Sequence, residues 1–168
     1  THPALNAVHK QLGVVPNLFR VVANSPAALT GYLQLSAASN AGGLSAATRE
    51  RIALAVAEIN GCSYCLAAHS YLGCQLAKLD AAEIEANRAG TSNDAKADAA
   101  VRFAVAVVRQ RGHVGADAIQ AVRDAGYSDA QVLDILLAVA LNTFTNYVNE
   151  VAQTEIDFPV VAPLAVAA

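Results

Sequence analysis

Two cysteines and a histidine stand close together in this 168-residue chain. Cys62 and Cys65 have Cys-x-x-Cys spacing and follow a break at Asn60-Gly61, so we expect them in the first turn of a helix. Free backbone N–H groups and the positive end of the helix dipole stabilise a thiolate there, which lowers the thiol pKa and makes sulfur a nucleophile. The spacing also permits a small disulfide ring. These residues therefore indicate redox chemistry.

His69 and Glu50 could supply the proton transfer that such a thiol needs. His69 lies four residues after Cys65, so the two share a helix face. Glu50 lies ten residues before the break and His69 nine after it. If the two helices form an antiparallel hairpin, both side chains lie about 14–15 Å from the turn. We therefore predict a relay from Glu50 through His69 toward the Cys65 thiol.

Two more side chains, Glu58 and Cys74, lie near this segment. Glu58 lies in an apolar stretch just before the cysteines. Because a buried carboxylate must be paired or protonated, Glu58 is a possible site-lining residue. Cys74 is nine residues past Cys65, about half a turn round the helix, so we expect it to point away and to be structural.

The elements that must position these residues are predicted to be helices throughout. Alanine is abundant and aromatic residues make up only 5% of the chain, which favours an all-α fold in a single domain. Cap and turn signals such as Ser45, Gly61 and the Ser128/Gln131 capping box set the boundaries. The predicted helices are 4–12, 16–23, 26–40, 46–59, 62–76, 81–89, 95–111, 116–125 and 129–155.

Two segments lie outside this helical pattern. The polar loop 90–94 is long enough to suggest a joint between two groups of helices. The apolar tail 160–168 has no helix signal, so we predict an extended arm that packs on a neighbouring subunit. The alternative is a frayed terminus.

Composition excludes several classes of function. A net charge of −3 gives no basic footprint for nucleic acid, and the longest stretch free of charged residues contains too many polar groups for a membrane span. Three cysteines are too few for a disulfide scaffold. With no signal peptide in view, we expect a cytoplasmic protein that binds neither nucleic acid nor membrane.

The motif Glu-x11-Cys-x2-Cys-x3-His, formed by Glu50, Cys62, Cys65 and His69, resembles the core of the alkylhydroperoxidase D-like proteins. These proteins belong to the wider carboxymuconolactone decarboxylase family. The resemblance is strongest over 45–77, and 142–149 is similar to the closing helix of peroxidase-related members. It implies an orthogonal multi-helix bundle spanning the whole chain, assembled as a trimer or hexamer.

The resemblance also implies an activity, that of a thiol peroxidase in antioxidant defence. Cys65 would attack the peroxide oxygen, Cys62 would then condense with it to a disulfide, and His69 with Glu50 would move the proton. Dithiols, including lipoyl groups on carrier proteins, would restore the thiols, and a peroxiredoxin is a possible partner. No metal or organic cofactor is implied.

Tyr64 is a departure from the best-known members, which carry a histidine just before the second cysteine. A phenol with a pKa near 10 cannot act as a base at neutral pH. It could still donate a hydrogen bond to a thiolate or a peroxide oxygen, so Tyr64 is a possible site-lining residue.

Four alternatives stay open. The chain could exchange thiols and disulfides without reacting with peroxide, or it could be a decarboxylase-like enzyme, although the family's decarboxylases do not rely on this cysteine pair. The four motif residues could instead bind zinc. Finally, the protein could be a catalytically idle helical oligomer.

Overall fold

Helices account for most of the molecule in a computed structural model that describes residues 3–162 and Leu164. That part of the chain contains nine α-helices and no strand, which confirms the all-α prediction. The helices are α1 Pro3–Leu12, α2 Asn17–Val22, α3 Pro26–Ala41, α4 Ala46–Asn60, α5 Ser63–Gln75, α6 Ala81–Arg88, α7 Ala95–Arg109, α8 Ala116–Asp124 and α9 Asp129–Ala152.

The helices begin where the capping residues predict. Ser25 and Ser45 each accept a hydrogen bond from the backbone N–H three residues on. Ser128 and Gln131 form the complete reciprocal capping box. Asp80 caps α6 through the N–H of Glu83, but the Glu83 side chain does not return to Asp80 and instead bonds elsewhere.

Two helices end at least two residues earlier than predicted. The helix α9 stops at Ala152 rather than near residue 155, because Gln153 takes a left-handed conformation with φ 50°. The helix α7 stops at Arg109 rather than at Arg111, which itself has φ 53°. In both cases a left-handed residue closes the helix, and the residue types at these positions gave no signal for it.

The helix α4 lies at the centre and packs against α5, α6, α7 and α9. Its residues Ile52, Leu54 and Val56 are fully buried. One core cluster joins α4 with α7, α8 and α9, and a second joins α2, α3, α4 and α5. The second cluster contains Cys62 and Cys65. The hairpin that carries the motif is therefore part of the core.

The long helix α9 has enough length and apolar character to cross a bilayer, by composition alone. It packs within the bundle, however, and buries three asparagines, Asn142, Asn146 and Asn149, against its neighbours. This core position accounts for part of its apolar character.

The polar loop 90–94 is not a joint, which corrects the sequence prediction. The buried Glu83 carboxylate accepts hydrogen bonds from Ser92 Oγ at 2.5 Å and from the Asn93 backbone at 2.8 Å. It also accepts from Arg51 Nε at 2.6 Å, so α4, α6 and the loop are tied together. These bonds outweigh burial and lower the pKa of Glu83 to about 2.

The segment after α9 turns back over its own chain. Ile156, Phe158 and Val161 pack against the cluster that contains the cysteines, and Arg88 Nη2 donates to the Ala162 carbonyl. The predicted arm on a neighbouring subunit is therefore wrong for Val161 and Ala162. Of the remaining tail, residues 163 and 165–168 lie outside the described part of the chain.

Candidate active site

The hairpin of α4 and α5 is built around a tight turn at Gly61. Gly61 has φ 67°, a left-handed conformation that glycine adopts without a steric penalty. The next N–H, of Cys62, returns to the Ala57 carbonyl at 3.0 Å and closes α4. Cys62 is then the N-cap of α5, as the sequence predicts for a cysteine pair in the first turn.

This hairpin brings Glu50 and His69 together. His69 Nδ1 lies 2.8 Å from Glu50 Oε2, which confirms the predicted register of the two helices. Gly73, one turn beyond His69, supports this close approach. A Cβ at position 73 would lie 3.3 Å from Leu79 and 4.0 Å from the Glu50 Cβ.

The two thiols are buried, and their pKa values are shifted in opposite directions. The Cys65 backbone N–H donates to Cys62 Sγ at 3.4 Å. The hydrogen bond from the Cys62 thiol is the largest influence on Cys65 and, against burial, lowers its pKa to about 6, with help from the charge of His69. The same pairing, together with burial, raises the pKa of Cys62. The pairing therefore favours a thiolate at Cys65 over one at Cys62.

The two acidic neighbours of His69 raise its pKa. Burial by itself would lower the pKa of His69, but the charge and hydrogen bond of Glu50 and the charge of Cys65 outweigh burial and raise it. Glu50 and Cys65 thus both favour the protonated form of the His69 imidazole.

Asparagines of α9 complete the surroundings of the sulfur. Asn149 Nδ2 donates to Cys65 Sγ at 3.3 Å, and the Asn149 and Asn146 amides both lower the Cys65 pKa. Asn60 Nδ2 donates to Asn146 Oδ1 at 2.9 Å. The sequence by itself indicates only contacts between helices for these asparagines. Their signal was three polar residues on one side of an apolar helix.

A cavity of about 430 Å³ opens in front of Cys65 and His69. Its walls are mostly apolar, and the Tyr32 ring stacks near Phe19 and Phe144 at one side. Burial and the charge of Cys65 raise the pKa of Tyr32 to about 12, so its hydroxyl stays protonated. Cys65 lines this cavity, and Cys62 is not among the described residues that line it.

Tyr64 lines the cavity with its ring, but its hydroxyl is engaged elsewhere. It donates to Asp157 Oδ1 at 2.8 Å and accepts from the Leu18 backbone N–H at 3.2 Å. The ring also packs edge-on against Phe158, with centroids 5.8 Å apart. The predicted hydrogen bond from Tyr64 to a thiolate or peroxide is therefore wrong, since this hydroxyl holds the segment after α9.

Glu58 and Cys74 lie away from the cavity. Glu58 Oε2 accepts from Arg88 Nε at 2.7 Å, so its partner is an arginine of α6 and it does not line the site. Cys74 is exposed and free, which agrees with its predicted direction away from Cys65.

The zinc alternative lacks a suitable arrangement of ligands. Across residues 3–162 and Leu164, no group of three or more His, Cys, Asp and Glu side chains is placed to hold a metal ion. Glu50 and His69 instead bond to each other.

Comparison with solved structures places this fold among peroxidase-related proteins. An uncharacterized peroxidase-related protein from Silicibacter sp. TM1040 is 25% identical with a TM-score of 0.80, covering 90% of this chain and 82% of that one. An alkylhydroperoxidase core protein from Ralstonia eutropha JMP134 is 22% identical with a TM-score of 0.81, covering 93% and 83%.

A third structure has the same fold and a different described activity. The debrominase Bmp8, solved with 2,3,4-tribromopyrrole as a C82A variant, is 19% identical with a TM-score of 0.77, covering 93% of this chain and 84% of that one. No curated protein matches the sequence. The sequence profile of the carboxymuconolactone decarboxylase family matches residues 24–110, more than half of the chain. The chain therefore belongs to the carboxymuconolactone decarboxylase family.

Proposed function

We propose that this protein reduces hydroperoxides at Cys65, with Cys62 as the second thiol. The observation that carries the proposal is that the low-pKa thiol faces the cavity beside the Glu50–His69 pair, while its partner thiol lies behind it. The family and its peroxidase-related structures support this assignment.

The chemistry balances with the groups present. The Cys65 thiolate attacks the outer peroxide oxygen, so an S–O bond forms while the O–O bond breaks. His69 gives a proton to the departing alkoxide, and Glu50 stabilises the histidine before and after that transfer. The product alcohol leaves, and Cys65 becomes a sulfenic acid. Cys62 then attacks the sulfur, and water leaves as the disulfide forms.

Thiol–disulfide exchange is the second candidate, because a low-pKa cysteine paired with a buried thiol also suits that reaction. It differs at one point, since an exchanger has no need of a proton donor aimed at a leaving oxygen. The Glu50–His69 pair therefore favours the peroxidase.

The test is to trap the first product. We expect Cys62→Ser, treated with one equivalent of an organic hydroperoxide, to gain one oxygen on Cys65 by peptide mass spectrometry. Cys65→Ser is the matched control and should gain none. All variants carry Cys74→Ser, since Cys74 is exposed and would add a background signal.

Two other results would contradict the proposal. The first is addition of oxygen to Cys62 in the Cys65→Ser variant. If it is as fast as addition to Cys65 in Cys62→Ser, Cys65 is not the preferred nucleophile. Rapid reduction of a small disulfide without any peroxide consumption would establish the exchanger instead.

The reductant and the assembly are further parts of the proposal. We propose a dithiol, such as a lipoyl group, as the reductant. Among the described residues Cys65 is the only cysteine that lines the cavity, so the reductant would have to reach the disulfide at Cys65.

We also propose association of identical chains through α9, which exposes Leu133, Tyr147 and Val151. Leu133, Ala140 and Tyr147 are seven residues apart and share one face. Light scattering measures the mass, and a monomer would contradict the assembly.

A further inference from the structure

Two buried amides next to Cys65 each have one polar atom without a partner. Asn146 is fully buried and Asn149 is 2% exposed. Within the described part of the chain, Asn146 Nδ2 and Asn149 Oδ1 have no hydrogen-bond partner. A buried polar atom left in this way costs about as much as a lost hydrogen bond, so such atoms are rare and call for an explanation.

The orientation of each amide follows from its other contact. Asn60 Nδ2 donates to Asn146 Oδ1 at 2.9 Å, which satisfies the oxygen and leaves the Asn146 NH₂ group free. Asn149 uses its NH₂ group to donate to Cys65 Sγ at 3.3 Å, which leaves its oxygen free. One donor and one acceptor without a hydrogen-bond partner therefore lie on buried side chains of α9 next to Cys65.

We propose that Asn146 and Asn149 form a cradle for the oxygen that Cys65 acquires as a sulfenic acid. This inference rests on the proposed function and extends it to the intermediate. A thiolate only accepts hydrogen bonds, whereas a sulfenic acid carries an oxygen that accepts and an O–H that donates. The free Asn146 N–H matches the first of these needs, and the free Asn149 oxygen matches the second.

The cradle explains why two amides lie here rather than apolar residues. In the reduced protein Asn149 Nδ2 donates to the Cys65 sulfur, and the Asn146 amide also favours the thiolate. After transfer of oxygen from the peroxide, all remaining amide atoms gain partners without movement of a helix. The S–O–H proton stays on the oxygen because an acceptor faces it, so the group is kept as the neutral acid. The neutral acid reacts more slowly with a second peroxide than its anion does, because the anion is the nucleophile.

The experiment uses Cys62→Ser with Cys74→Ser, in which the sulfenic acid cannot condense. Asn146→Leu and Asn149→Leu are added to this background, and Asn146→Asp and Asn149→Asp serve if a leucine variant fails to fold. One equivalent of organic hydroperoxide is added first to form the sulfenic acid. An excess of the same hydroperoxide is then added. Mass spectrometry follows Cys65 from one added oxygen to two.

We expect the second oxygen to be added about tenfold faster in Asn149→Leu, which removes the acceptor that keeps the acid neutral, and more slowly in Asn146→Leu, which removes a donor that favours the anion. Asn149→Leu should also raise the Cys65 pKa by about one unit, read from thiolate absorbance, since it removes the contact to Sγ. A merely structural role would move neither quantity.

Asn87→Ala is the matched control. Asn87 is also fully buried but lies on α6, bonded to Glu83 rather than to Cys65. It should lower the melting temperature and leave both sulfur readouts unchanged. Equal rates of second oxidation in all variants, with the first oxidation intact, would overturn the cradle alone. Absence of any first oxidation with both asparagines present would overturn the proposed function and the cradle with it.

Discussion

Glu50 Oε2 and His69 Nδ1 lie 2.8 Å apart, although the two residues come from different helices of the hairpin. This contact favours the protonated form of the imidazole. Glu50 raises the pKa of His69 against the effect of burial, and the resulting cation helps to lower that of Cys65. The two groups to which we assign the reaction with peroxide would therefore depend on a carboxylate one step further from the sulfur.

The pH profile follows from these shifts. Activity should rise as pH passes about 6, where Cys65 ionises, and should fall at higher pH as His69 loses its proton. Glu50→Gln removes the negative charge, so the His69 pKa falls and that of Cys65 rises. We expect the active range to narrow from both sides, with a loss of about 10- to 100-fold at pH 7.

Initial rates of hydroperoxide consumption across the pH range measure this effect. Glu58→Gln is the control, because Glu58 lies on the same helix but pairs with Arg88. An unchanged profile in Glu50→Gln would remove Glu50 from the relay.

Glu83 should make acid stability depend on one buried carboxylate. Its pKa falls from 4.5 to about 2 on folding, so its contribution is complete above pH 4.5 and is lost as pH falls toward 2. Glu83→Gln should cost about 3 kcal/mol of unfolding free energy at pH 7. Urea unfolding at several pH values measures it, and the two curves should converge in acid.

The control for Glu83 is an exposed ion pair. Asp129→Asn removes a carboxylate whose partner, Arg123, is also exposed, and should change stability by less than about 0.5 kcal/mol. A difference between Glu83→Gln and the parent that stays constant from pH 7 to acid would contradict the linkage.

Tyr64→Phe separates the cavity wall from the hydroxyl. The variant keeps the ring but loses the bonds to Asp157 and to the Leu18 N–H, so we expect about 1–2 kcal/mol of lost stability. Proteolysis within 153–162 should become faster, while peroxide reactivity stays within about twofold. Tyr71→Phe, next to the same Phe158 ring, is the control. Loss of reactivity toward peroxide without faster proteolysis would indicate that the Tyr64 hydroxyl takes part in the reaction.

Gly61→Ala tests the turn that sets the hairpin. Its φ of 67° is strained for alanine although no atom lies within 4 Å of the added methyl group, so we expect about 1 kcal/mol of destabilisation. Gly31→Ala adds the same methyl group inside α3, again with open space, and should stabilise by about 0.5–1 kcal/mol. Thermal unfolding compares the pair, and two changes of the same sign would contradict the argument.

The hairpin and its Glu50–His69 contact could be predicted because both depend on local counting. The break at Gly61 fixes where two helices meet, and equal distances from it place two side chains at one level. Ser45 and Ser128 likewise predict where their helices begin, because their side-chain oxygens accept hydrogen bonds from nearby N–H groups.

Contacts between distant parts of the chain could not be obtained in this way. Asn149 reaches Cys65 from α9, and nothing in either local sequence states how α9 crosses α5. The pairing of Glu58 with Arg88 could not be predicted from the local sequence either. The Tyr64 hydroxyl finds its acceptor, Asp157, only because the segment after α9 turns back over the chain. Each depends on tertiary packing rather than on periodicity.

The position of Cys62 has a consequence for how the enzyme would be recycled. Its side chain is fully buried, and the cavity exposes only the neighbouring Cys65 sulfur among the described residues. In a disulfide between them, an incoming thiol would have to arrive along the same passage as the peroxide. Substrate and reductant would then compete for one entrance, so excess peroxide would slow turnover by occupying it. A thiol carried on a long, thin group could enter this cavity. A thiol on the flat surface of a globular protein could not reach Cys65.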